Sequence, residues 1–78
     1  MNNITWMGTK NEAITVQPHK VKGHTVYHIL VNFQKVGVVA QMGKDDWRGV
    51  SLKWKGNRNG MFGAIDAILL GVNVVAAR

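Results

Sequence analysis

Between Trp47 and Arg58 the chain carries four cations, Arg48, Lys53, Lys55 and Arg58, and no acid. Residues 49–55 alternate in polarity, which predicts a strand with Val50, Leu52 and Trp54 facing inward and Ser51, Lys53 and Lys55 facing out. Lysines two apart on one strand stand about 7 Å from each other on the same face. That separation resembles the phosphate spacing along a nucleic-acid strand, and Arg48 and Arg58 would lengthen the track. Asn57, Ser51 and, on a neighbouring strand, Gln41 add hydrogen-bonding groups suited to base edges. Gly56, Asn57, Asn59 and Gly60 form a polar loop before a helix N-terminus, where free N–H groups and the helix dipole favour an anion. The expected site is therefore Gln41, Arg48, Ser51, Lys53, Lys55, Asn57 and Arg58. The plainer reading of the same residues is a solvated edge strand whose lysines block aggregation.

Other chemistries find less support. His24 and His28 share a strand face but stand about 13 Å apart, too far to share a metal ion without a bend, and His19 lies in the turn before them. No cysteine is present, so a disulfide framework, a thiolate zinc site and a thiol nucleophile are excluded together. Asp45 and Asp46 are adjacent and read as a turn, while Glu12 and Asp66 are remote in sequence, so no carboxylate pair converges for acid–base work. Ser51, the one serine, lacks an activating motif, and the glycines match no phosphate-loop spacing. The expectation is a binding protein and not an enzyme, folding without cofactor or metal.

The whole-chain balance agrees with a polyanionic partner. Ten Lys and Arg against four Asp and Glu leave a net charge of +6 over 78 residues, with a pI near 10.2. At 46% hydrophobic and 18% charged, the chain is too apolar for a disordered tail. Its length predicts one small basic domain, residues 1–78. With no export leader evident and no disulfide staples, a cytoplasmic location is expected. The apolar run 61–77 contains Asp66 and is short for a membrane span, which predicts a buried helix and no membrane partner.

The elements that must position these residues follow from periodicity. Strands are expected near 3–7, 13–17, 25–33, 36–42 and 49–55, and a helix over roughly 60–73, capped by Asn59. In the central hairpin, Thr25, Tyr27, Ile29, Val31 and Phe33 share one face. Folding at Gln34-Lys35 sets them against Val36, Val38, Ala40 and Met42. Pro18 and Gly23 bracket a basic turn. Met61, Ile65, Ile68, Leu69 and Val72 form the helical stripe that covers the sheet. The architecture is α+β: an antiparallel sheet of three to five strands with one C-terminal helix on one face.

Two functional expectations follow. The first is nucleic-acid binding, duplex DNA ahead of RNA or single strands, because Tyr27, Phe33 and Trp54 fall on the inward face and leave no stacking platform. The second is a small interaction or inhibitor protein, of the kind mobile elements and phages direct at a host protein. Phe62 and Leu70 lie off the sheet-facing stripe, which predicts a homodimer through that side of the helix, unless residues 74–76 fold back over it.

Overall fold

The computed structural model describes residues 3–77. Six strands, β1 (Ile4–Met7), β2 (Ala13–Val21), β3 (His24–Val31), β4 (Gln34–Gly43), β5 (Asp46–Ser51) and β6 (Lys55–Arg58), form one antiparallel sheet in chain order. The helix α1 (Met61–Gly71) packs back across β4, β5 and β6. The α+β class and the single C-terminal helix are as expected. The sheet has six strands because residues 49–55 do not form one strand: β5 ends at Ser51 and β6 begins at Lys55.

Turn chemistry sets the register. Lys22-Gly23 and Asn32-Phe33 are two-residue loops in which every residue has positive φ: 51°, 81°, 49° and 69°. Such loops match the twist of the strands that they join. The first lets β2 run on through Pro18 to Val21, so the basic turn expected at 19–22 is mostly strand. Proline is tolerated there because β1 stops pairing at Ile4↔Val16, leaving the rest of β2 as an edge strand. The second loop replaces the turn expected at Gln34-Lys35. Phe33 therefore leaves the core for the loop, where it is 79% exposed.

A bulge then reverses the face of β4. Leu30 pairs with Lys35 but Ile29 with Gly37, so Val36 is the extra residue. Val36 still packs on the core, but beyond it the parity changes: Val39 is fully buried, and Val38, Ala40 and Met42 lie on the opposite face. One inserted residue is enough, because side chains alternate with a period of two.

The core lies between sheet and helix. Ile14, Val16, Ile29 and Val39 meet Ala64, Ile65, Ile68 and Leu69, with Val74 beyond the helix. Trp6 of β1 makes an edge contact with Phe62, so the sheet curls around its helix. Gly60, not Asn59, is the N-cap, and it supplies no side-chain cap hydrogen bond. At the other end Asn73 takes φ 60°, the Val74 N–H donates to Leu69 O and the Asn73 N–H to Leu70 O. These paired bonds satisfy the last carbonyls. The chain then runs to the far edge, where Thr9 N–H donates to Val75 O and Ala77 N–H to Met7 O.

Gly37 shows how closely the layers approach. A Cβ there would lie 2.8 Å from Ile68 Cγ2 and 3.0 Å from the backbone oxygen of Val50. Gly37→Ala should therefore destabilise the fold by about 1–3 kcal/mol, as overpacking does. Urea unfolding of the two proteins measures the difference.

Candidate nucleic-acid interface

The sheet has one face under the helix and one without it. Strand pairing assigns each expected site residue to a face. Arg48 pairs with Asn57, and Val50 with Lys55, on the face away from the helix. Arg48 and Lys55 are thus diagonal neighbours across β5 and β6, a placement that sets Cα atoms about 7–8 Å apart. Together with Val50 and Asn57 they surround a shallow depression of about 260 Å³. Asp46 orders this group: its carboxylate accepts a 3.3 Å hydrogen bond from Asn57 Nδ2 and lies 3.5 Å from the Arg48 guanidinium. Three of the seven expected residues, Arg48, Lys55 and Asn57, are brought together here.

The other four go elsewhere. Ser51 is occupied in a tight turn: its hydroxyl accepts from the Trp54 N–H at 2.9 Å and donates to Trp54 O at 3.1 Å. That turn carries Lys53 to the helix side, where its Cβ sits against Gly71 at the helix C-terminus. A cation is favoured beside those carbonyls. Lys53 and Lys55 therefore do not share a strand face. Arg58 pairs with Trp47 on the helix side, lays its guanidinium over the Trp54 ring at 4.9 Å and bonds to Asn57 O. Gln41 also pairs with Trp47, and its amide donates to Lys44 O at 3.4 Å. Val50 and Leu52, expected inside, are 52% and 101% exposed, whereas Trp54 does pack on the core.

The turn explains this division. Trp54 sits over Gly49 and Gly56, where a Cβ would lie 2.6 Å and 2.9 Å from its ring. The ring fits only because those opposed positions are glycine.

The uncovered face is built in cross-strand rows. One runs His19, Val26, Ala40, Arg48, Asn57, and the next Gln17, His28, Val38, Val50, Lys55. Each row has an apolar middle and polar ends. Tyr27, Trp47 and Trp54 pack on the core side, so none of these rings offers this face a stacking surface.

Sequence reasoning missed one contact on this face. His19 and His28, on adjacent strands, stack with ring centroids 3.9 Å apart, and His19 Nε2 bonds to Gln17 Oε1 at 2.9 Å. Reading Lys22-Gly23 as a two-residue turn would have found the pair, since it sets His19 opposite Val26 and diagonal to His28. Among the described residues no three His, Cys, Asp or Glu side chains gather as metal ligands. No described helix is long and apolar enough to cross a membrane. The helix side bears on the expected dimer surface too. Phe62 packs on Trp6, while Leu70 remains 60% exposed.

Comparison with protein families, with curated proteins and with solved structures finds no match.

Burial, then the neighbouring His19 and Lys35, holds the pKa of His28 below the ordinary imidazole value of 6.5. The unfolded chain therefore takes up this proton first, and stability falls as the pH drops below 6.5 toward the lower folded value. Thermal unfolding from about pH 7.5 to about pH 5 should show that loss. His28→Gln should flatten the part that this residue contributes.

Proposed function

We propose that this chain binds nucleic acid, duplex DNA in preference to RNA or single strands, through the uncovered face of β5 and β6. The observation that carries the reading is the diagonal pair Arg48 and Lys55 beside Asn57 on a sheet face without a helix. The pair suits two phosphates, and Asn57 suits a sugar or a base edge. A two-stranded ribbon fits the major groove. Tyr27, Trp47 and Trp54 pack on the core side and leave the rows of this face without a Phe, Tyr or Trp ring, which favours paired over unpaired bases. The excess of +6 supplies the long-range attraction.

The apolar middle of the face, Val26, Val38 and Val50, supports a second reading. In it a host protein with an acidic rim covers the same surface, the cations pair with the rim and the valines are buried.

The double substitution Arg48→Ala, Lys55→Ala should leave folding nearly unchanged, since both side chains are exposed. Affinity for any duplex should fall, and the slope of log K against log salt should shrink by about one per lost contact. Replacing Lys10 and Lys20 removes the same charge from the edge and turn regions, and should cost less. Lys53→Ala alone should cost little. Fluorescence anisotropy across a salt series measures all of these. Equal losses from the two double variants would reject the assigned face. No duplex binding by the unmodified protein at low salt would favour the protein-partner reading, tested by capture from nuclease-treated extract.

A further inference from the structure

Phe33 is held in an unfavourable backbone conformation and its ring is left in solvent. It occupies the second position of a two-residue hairpin loop with φ 69°, a region where glycine or asparagine is usual and a bulky side chain is an outlier. Its partner, Asn32, suits the loop and is also tied to β2: its N–H donates to Ala13 O and its Oδ1 accepts from the Ala13 N–H. The loop is therefore anchored, and Phe33 is fixed at its tip with 79% of its surface exposed. The positive φ and the solvent-exposed ring both lower the stability of the free protein.

The surroundings point to the kind of partner. Leu52, 101% exposed, tops the β5–β6 turn at the same end of the sheet, since Ser51 pairs with Gly37 near the start of β4. Lys35 follows Phe33 by two residues, and Lys53 follows Leu52 directly. Lys10 and Glu12 lie in the turn before β2, and the Glu12 carboxylate accepts from the Lys10 backbone N–H. The charges of Lys10 and Glu12 offset each other and Lys53 lies on the helix side, so Lys35 is the cation left beside the two apolar tips. That combination suits entry between bases while Lys35 meets an adjoining phosphate.

We propose that Phe33 is a wedge that inserts between stacked base pairs of duplex DNA and kinks it. The proposal rests on the nucleic-acid reading above and adds to it a residue, a mode of contact and a deformation.

The test uses the full chain and a mixed-sequence DNA duplex carrying a donor and an acceptor dye at its two ends. Unmodified protein should shorten the end-to-end distance on binding. Phe33→Gly should melt at a higher temperature than the unmodified protein, because the positive φ is then unstrained. It should also bind duplex on the order of fivefold more weakly and bend it less. Its salt slope should be unchanged, because no charge is lost, in contrast to the Arg48 and Lys55 substitutions. Phe33→Leu should keep most of the bend.

Phe33→Gly that binds and bends like the unmodified protein overturns the wedge and leaves the nucleic-acid reading standing. So does duplex binding without any bend by the unmodified protein. Failure of the unmodified protein to bind duplex overturns both. A Phe33→Gly variant that melts lower shows that the ring stabilises the fold, and that also overturns the wedge.

Discussion

The structure depends on how closely one short helix can approach the sheet. Eleven residues span about 16 Å, and this helix covers β4, β5 and β6. It comes close because Gly37, Gly49 and Gly56 carry no side chains there. Ile68 settles over Gly37 and Gly49, and the Trp54 ring over Gly49 and Gly56. In a chain of 78 residues, with little surface to bury, this contact seals that end of the core.

That packing determines which side chains reach solvent on the other face. To lie on the glycines, Trp54 must reach back under the sheet from the start of β6. The chain therefore turns at Ser51, whose hydroxyl closes the loop. The turn separates two lysines that an unbroken strand would have held together. It also sets Lys55 diagonal to Arg48 and beside Asn57. The cationic group on the uncovered face is thus a consequence of where one indole is buried.

The uncovered face and the hairpin tips form a single surface logic. The rows across the sheet have cations, imidazoles and amides at their ends and valines or alanine in the middle. The end carrying Phe33 and Leu52 is apolar at its tips and basic around them. Side chains on this face are free of the demands of the core, so their chemistry is set by solvent and by whatever binds. On the helix side, by contrast, Arg58 is a cation held by a local partner, an aromatic ring.

Several features were legible in the residues themselves. The period of two followed by a helical stripe determined the α+β class, the single helix and most of its buried positions, because alternation and amphipathicity are local properties of the chain. Charge counting identified the basic segment, and of the two lysines expected on the outer face Lys55 lies on the face away from the helix while Lys53 does not. Only the tertiary structure decided the phase of β4, where one bulged residue at Val36 exchanges inside for outside. It also decided that Phe33 leaves the core, that 49–55 is a hairpin, and that His19 meets His28. Each of these depends on a register between strands or on a close approach of the helix to glycine. Such relations are set by packing between segments distant in sequence, and a pattern read along one strand does not contain them.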